Sequence, residues 1–576
     1  MSQSQEIPDF HALLRSHAEA RPNAVAVADG AREVSYAQFV ADIEKVSRRL
    51  NTYGLAPGSR AILFFKSHYL HWLAIMALWR LGVVSVSLYN LAQPGLLQLL
   101  RAGVLITERG NLKTEGGDVI AIDEDWLTGS VDALPPLAER PFDAKQPVRI
   151  LLSSGTTGLP KKILYDNAII GARIRYSIED YGFAQRHRFM SGVGLDTAGA
   201  FVFGVVTLAA GGAIAFYESN KPFGPQIEQT RANLVFLSPV QAAHAIDSLA
   251  PDFRHPGLTL IVGGGRMPEI VAQRARKRLA SEVWVVYGST EAGSVAKTFE
   301  PNFAKPEAVG FRVPSAQIEV VDESGQVLKP GSVGEVRMRG VCCVDSYLED
   351  PEATGAHFRD DWFYPGDLGT LSESDELSIV GRVGEVMNLG GVKITPGVIE
   401  DALMTCPGVK DLAVFSVPDE LGVESLWLAV CTTAEFAEEE LQRRYTERFP
   451  SNRAPNVAIV ESIPRNAMSK AQRNVLRDMV KKRLLRQSAP APTIEFGMRA
   501  ASSEAGAATD KENKVAMVKI NDKEYDFDKL SDDVKSQLVA LQYVDTELHR
   551  LGLQKAALQT ARAAYVKAIG EAIGSA

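Results

Sequence analysis

The sequence predicts an α/β protein: a large N-terminal domain of parallel-rich sheets flanked by helices, a small α+β domain after it, and an extra helical tail. Three observations carry that expectation. The 576 residues exceed what one hydrophobic core holds, so two or three domains are expected. Short apolar runs alternate with amphipathic helical stretches through most of the chain, which is the pattern of parallel strands covered by helices. After residue 487 the composition turns to Ala, Ser, Pro and Glu, which reads as a flexible linker over 488–515.

In chain order, the alternation opens with a hairpin about Asp29-Gly30-Ala31 and a helix over 36–53 that Ser35 can cap. A strand over 60–65 and a helix over 69–81 follow. Residues 197–217 carry no charge, yet Gly211-Gly212 divides them into a buried helix, 199–210, and a strand, 213–217, rather than a membrane span. The pattern resumes with a helix over 168–181, strands at 234–238 and 258–262, and a helix over 241–250, so the large domain runs to about residue 380. Strands and helices then alternate from 398 to 460 in the small domain, 381–487, which closes on a basic helix, 474–486. In the last unit, 516–576, a small hairpin about Asn521-Asp522 precedes a helix capped by Ser531 that runs to about residue 569. Its apolar stripe through Leu541, Val544, Leu548, Leu551, Leu558 and Tyr565 predicts a buried face, for self-association or for a protein partner.

The densest chemical signal is Ile150-Leu151-Leu152-Ser153-Ser154-Gly155-Thr156-Thr157-Gly158-Leu159-Pro160-Lys161. A buried strand stops at a loop where two glycines let N–H groups and hydroxyls converge on an anion, and Lys161 adds a charge. The spacing is not that of the nucleotide P-loop, because Lys162 stands where Ser or Thr would follow. Further on lie Gly263-Gly264-Gly265-Arg266 after a strand, Tyr287-Gly288-Ser289-Thr290-Glu291, Tyr364-Pro365-Gly366-Asp367, Gly381-Arg382-Val383-Gly384 and Met468-Ser469-Lys470. Taken singly, each has an ordinary alternative: a glycine turn, a helix start capped by Ser289 or Thr290, a surface turn at Asp367, a solvated lysine.

Together and in this order these segments resemble the adenylate-forming superfamily of acyl-CoA synthetases, nonribosomal-peptide adenylation domains and luciferases. The resemblance covers 10–486. It implies that Ser153, Ser154, Gly155, Thr156, Thr157, Gly158 and Lys161 hold ATP phosphates. It places Gly264, Gly265, Arg266, Tyr287, Gly288 and Ser289 about adenine. It assigns Thr290 to phosphate, Glu291 to Mg²⁺, and Asp367 and Arg382 to the ribose. Lys470 is the expected catalytic lysine of a mobile small domain swivelling near Gly384, with a thiol tunnel near Gly391. Proline replaces the usual Thr at 365, glycine the usual Asp or Lys at 384, and serine the usual glycine at 469. The implied activity is ATP-dependent activation of a carboxylic acid with pyrophosphate release, then transfer to CoA or to the phosphopantetheine of a carrier protein.

The pocket stretch Gly194-Leu195-Asp196-Thr197-Ala198-Gly199-Ala200-Phe201 leaves the acid open. Asp196 stands where amino-acid-activating relatives pair an α-ammonium, or it caps the helix beginning near Gly199. Thr197 and Ala200 are the other expected pocket residues. An acyl or aryl acid with CoA is the leading expectation, amino-acid adenylation for a separate carrier protein the second, and an inactive scaffold acting through its C-terminal helix the third.

A net charge of −8 argues against a nucleic-acid surface. Four cysteines without C-x-x-C or metal-ligand spacing fit a reducing compartment, and the N-terminus has no basic or apolar signal region, so the cytoplasm is expected.

Overall fold

The computed structural model describes residues 7–537 apart from 92–95, 111, 113–116, 139, 154–159, 266, 300–306, 390–391, 419–423, 451–453, 466–470, 489–493, 501–513 and 521–522. It divides into two compact units, Met1–Asp478 and Met479–Ala576. The expected α/β architecture is present in the first. A six-stranded sheet runs in the order Asp118–Ala121, Val104–Thr107, Arg60–Phe64, Val84–Ser87, Pro147–Ser153, Lys161–Asp166. All neighbours are parallel except the last pair, a hairpin with Ser153 opposite Lys161. The glycine- and hydroxyl-rich segment therefore joins two adjacent strands, although residues 154–159 lie outside the described ones.

The second sheet is longer. Its parallel half places Val25–Asp29, Ala213–Ala215, Arg188–Ser191, Leu234–Leu237, Thr259–Val262 and Glu282–Ser289 side by side. Its antiparallel half continues through Gly293–Thr298, Ala308–Arg312, Glu376–Arg382, Asp367–Leu371 and Gly334–Gly340. Helix His68–Leu81 buries almost its whole circumference, as a helix apolar all round must. It packs on helix Ala198–Ala209, where a Cβ at Gly204 would come within 2.7 Å of the Trp72 ring. The uncharged stretch is thus a buried helix and a strand, and among the described residues no helix is long and apolar enough to cross a membrane.

The sequence-predicted elements recur with shifted ends. Ser35 caps Tyr36–Asn51 by accepting from the Gln38 N–H at 3.2 Å. The helix expected at 241–250 starts earlier, at Pro239, because Ser238 and Gln241 form a reciprocal capping box. One alternative reading is corrected: no helix follows Ser289. Glu282–Ser289 turns directly into Gly293–Thr298, with Ser289 opposite Gly293, since a Cβ at Gly288 would lie 2.0 Å from the Gly293 carbonyl and only glycine admits that hairpin.

After Arg382 the chain builds a separate small core. Antiparallel Val409–Pro418 and Glu424–Thr432, with Asn456–Ile459 parallel beside them, pack on helices Pro396–Leu403 and Glu438–Arg448. Ile399, Leu403, Val414, Leu428 and Tyr445 are fully buried there, which is what an independent domain requires.

The second unit holds the expected hairpin, Lys514–Ile520 against Lys523–Asp526. Ser531 accepts from the Val534 N–H at the start of helical residues 532–537. The rest of the expected helix lies outside the described residues. Within the stretch read as linker, however, Ile494–Ala500 is a strand antiparallel to Lys514–Ile520. The overlooked signal was strict alternation, Ile494, Phe496 and Met498 against Glu495, Gly497 and Arg499, inside an Ala/Ser-rich surround.

Candidate active site

The antiparallel half of the long sheet brings Asp367 and Arg382 opposite each other in register. Gly366 precedes Asp367 with φ of +77°, a left-handed turn that aims the carboxylate inward, so Asp367 is 7% exposed rather than on a surface turn. Its Oδ1 accepts from Arg382 Nε at 2.8 Å and its Oδ2 from the Tyr287 hydroxyl at 2.5 Å. Each carboxylate oxygen can accept more than one hydrogen bond, so both retain capacity for a diol. Burial, and then the Asp367 charge, push the Tyr287 pKa well above the ordinary phenol value, so this tyrosine is a donor and a flat neutral ring.

Glu291 sits at the tip of the adjoining hairpin. It is 6% exposed, and its Oε1 accepts from the Tyr347 hydroxyl at 2.8 Å. Lys161 lies over the ring of that tyrosine, its Nζ 4.7 Å from the ring centroid. Burial lowers the Lys161 pKa, opposed by the charges of Glu291 and Asp350. A lysine and a buried carboxylate thus share one tyrosine, a pairing of opposite charges that suits an anion and its cation. Among the described residues no cluster of three or more metal-ligating side chains occurs. One buried carboxylate suits Mg²⁺, which keeps waters and takes its remaining ligands from phosphates.

Sequence reasoning missed the residue that fixes this hairpin tip. Arg173, buried on helix Asn167–Tyr181, donates to the carbonyls of Thr290 at 2.9 Å, Glu291 at 3.1 Å and Cys342 at 2.9 Å. It also donates to the Tyr165 hydroxyl, whose own proton goes to Thr290 O at 2.6 Å. An arginine in an amphipathic helix gives no sequence signal of that role. A second anchor lies where strand Lys161–Asp166 begins: Lys162 Nζ reaches Glu349 at 2.5 Å, and Arg60 binds the same carboxylate at 2.7 Å. These partners hold the Glu349 carboxyl down at about 2.

Beyond the parallel half, Gly264 has φ of +82°, and a Cβ at Gly263 would come within 3.0 Å of Phe236 and Val286. The backbone there is as bare as the expected adenine wall needs. Ser154, Gly155, Thr156, Thr157, Gly158, Arg266, Gly391 and Lys470 lie outside the described residues, so the arrangement covers Ser153, Lys161, Gly264, Gly265, Tyr287, Gly288, Ser289, Thr290, Glu291, Asp367 and Arg382.

The acid end shows a second correction. Thr197, not Asp196, caps helix Ala198–Ala209. Asp196 stands beside Leu195, whose carbonyl accepts from the fully buried Arg149 at 2.6 Å and whose N–H donates to the Tyr89 hydroxyl at 3.1 Å. Burial raises the Asp196 pKa to about 6 against the opposing charge of Arg149. Ala200, Gly194 and Tyr89 line a cavity of about 40 Å³ with Trp72, Phe189 and Phe216.

A buried carboxylate shared by an arginine and a tyrosine, a second buried carboxylate at a hairpin tip and a small apolar cavity fit the class of adenylating acid–thiol ligases. The chain belongs to the AMP-binding enzymes: that family matches residues 14–348, and the AMP-binding enzyme C-terminal domain matches 398–470. It is 26% identical to the 2-succinylbenzoate–CoA ligase of Bacillus licheniformis over 478 residues, 80% of this chain and 98% of that one. It is 28% identical to the feruloyl-CoA synthase of an Amycolatopsis species over 421 residues, 69% of this chain and 83% of that one. Among solved structures, the O-succinylbenzoate coenzyme A synthetase of Bacillus subtilis in complex with AMP superposes with a TM-score of 0.72 at 21% identity, covering 81% of this chain and 98% of that one.

Proposed function

We propose that the protein joins a carboxylic acid to CoA in two steps at this site. In the first, an acid oxygen attacks the α-phosphorus of ATP, the bond to the β-phosphate breaks, and pyrophosphate leaves with an acyl-adenylate retained. In the second, the CoA sulfur attacks the acyl carbonyl and AMP departs, the thiol proton passing to solvent. The observation that carries the reading is Asp367, held by Arg382 and Tyr287 with one acceptor position free on each oxygen.

Asp367 and Arg382 orient the ribose, Tyr287 flanks the base, and Gly264 and Gly265 let the base approach the backbone. Lys161 and the 153–158 segment take the phosphates. Glu291 would hold Mg²⁺, which when bound spreads the negative charge of the leaving pyrophosphate. Lys470 is proposed to bridge the acid oxygen and the α-phosphate, stabilising charge as the bond forms, and then to withdraw as the small domain turns about Gly384. The two curated relatives named above carry aryl acids in their names, and the aromatic lining of the cavity supports an apolar-bodied acid.

Asp196 favours a second reading, an amino acid delivered to a carrier protein, because a half-buried carboxylate can pair an ammonium. Arg149 weighs against it by supplying a buried positive charge nearby. Acid-dependent pyrophosphate release, followed with fatty, aryl and amino acids and then with CoA, separates the readings. The expected result is release with acids lacking an ammonium, thioester formation only with CoA present, and loss of release in Lys470→Ala. Release confined to amino acids would establish the second reading, and silence across the panel with ATP binding intact would point to a scaffold.

A further inference from the structure

Gly194 and Tyr89 are complementary across the cavity. A Cβ at Gly194 would lie 1.9 Å from the Tyr89 hydroxyl oxygen and 2.2 Å from its ring carbons. Tyr89 therefore fills the space that any side chain at 194 would take. It comes from just beyond strand Val84–Ser87 of the six-stranded sheet, whereas Gly194 follows strand Arg188–Ser191 of the long one. The hydroxyl is fixed by the Leu195 N–H at 3.1 Å while the opposite face of Leu195 is pinned by Arg149. The ring is thus held as a wall, and at 49% exposure it stands at the mouth of the cavity rather than in the core.

The remaining volume decides what that wall does. The cavity of about 40 Å³ is well short of the about 150 Å³ that accepts a benzene ring in a dry protein cavity. Its sides are Trp72, Phe189, Ile214 and Phe216, which are packed and cannot yield cheaply. Among the described lining residues Tyr89 is the most exposed large side chain, so it could leave with less disturbance of the core than the buried rings.

We infer that Tyr89 is a specificity-determining residue that limits the acid to a compact apolar body, in the place left by the absent side chain of Gly194. The inference rests on the acid-activation reading above. The site residues expected from the sequence do not include Tyr89, because its partner lies more than a hundred residues away and glycine gives no pattern to pair with it.

The test uses the full-length protein and two probes, propionate and benzoate, measured by pyrophosphate release. Tyr89→Ala is expected to raise the ratio of kcat/KM for benzoate over propionate by about tenfold or more, the discrimination a pocket wall typically commands. Tyr89→Phe keeps the ring, so the ratio should stay near wild type while both acids slow together. Tyr89→Leu, a milder truncation, should shift the ratio in the same direction as Ala and serves if the alanine variant is poorly folded. Gly194→Ala should lower the melting temperature, and Tyr89→Ala combined with Gly194→Ala should recover it, a coupling that only direct contact produces.

An active wild type whose preference is unchanged in both Tyr89→Ala and Tyr89→Leu would overturn the inference and leave the acid-activation reading standing. Additive melting shifts in the cycle would overturn the packing argument beneath it. A wild type silent toward every acid would instead remove the acid-activation reading, and this inference with it.

Discussion

Asp367, Arg382 and Tyr287 are held by one another and by strands of a single sheet, within a chain segment of fewer than a hundred residues. The backbone at Leu195 is held by Arg149 and Tyr89, which belong to the other sheet and meet it from opposite sides. The proposed ribose and base wall is thus a property of one sheet, and the proposed acid wall a property of the junction between two. A wall within one sheet keeps its geometry whatever the substrate, while one spanning two sheets can change a contact without disturbing the first. That division suits an enzyme whose ATP is constant and whose acid differs among relatives.

The contrast is broken most directly at Asp367. Asp367→Asn keeps the shape but turns one oxygen into a donor facing either Arg382 or Tyr287, both donors themselves. Acid-dependent pyrophosphate exchange should fall about 100-fold or more, by analogy with the loss of one well-placed polar partner at a reacting centre. Exchange close to wild type would mean that the nucleotide is not oriented by this carboxylate.

Arg173 tests whether the Glu291 tip depends on packing behind it. Arg173→Met removes donors to three carbonyls in a buried setting and should cost about 3 kcal/mol in denaturant unfolding. Catalysis per folded molecule should drop as well, because the hairpin tip is no longer fixed. Lost stability with undiminished turnover would separate the two roles.

Glu349→Gln probes the anchor at the start of the strand carrying Lys161. The folded pKa of about 2 lies below the ordinary 4.5, so the carboxylate contributes stability that is present above 4.5 and lost as pH falls from there toward 2. The variant should be less stable near neutrality by about 1.5 to 3 kcal/mol and should lack that acid-side slope in a melting series.

Asp196 has the opposite sign. Its folded pKa of about 6 lies above the ordinary 3.8, so the folded state binds the extra proton and its stability falls as pH rises from about 4 to 6. The melting temperature of wild type minus that of Asp196→Asn should therefore be larger at pH 4 than at pH 6.5 and flat above. A difference independent of pH would mean that Asp196 is not buried enough to prefer its neutral form.

The same contrast explains what was legible. Tyr287-Gly288-Ser289-Thr290-Glu291 and Gly366-Asp367 are contiguous, and each residue type declares its chemistry, so the residues proposed for the nucleotide could be listed from the chain alone. Tyr89, Arg149 and Arg173 act through partners 106, 46 and 117 residues away, and nothing local distinguishes them from a turn tyrosine, a strand arginine or a helix arginine. The sequence left Asp196 open between a helix cap and an ammonium partner because a cap is decided by one residue of register, and Thr197 holds it. The strand at 494–500 was hidden by averaging composition over a window longer than the strand itself.

Gly384 offers the finest distinction, between a glycine needed by a conformation and one needed by a motion. It lies in the short helical turn Val383–Glu385, its φ is not left-handed, and a Cβ there would meet nothing within 4 Å. Gly384→Ala should therefore leave this conformation unstrained and, by restricting the unfolded chain, raise stability by about 0.5 kcal/mol. Pyrophosphate exchange, which needs only the first arrangement, should be unchanged. If the small domain turns about this residue, the alanine narrows the backbone angles available to the second arrangement, and thioester formation with CoA should slow severalfold on its own. Equal rates in both half-reactions would place the pivot elsewhere in the segment after Arg382.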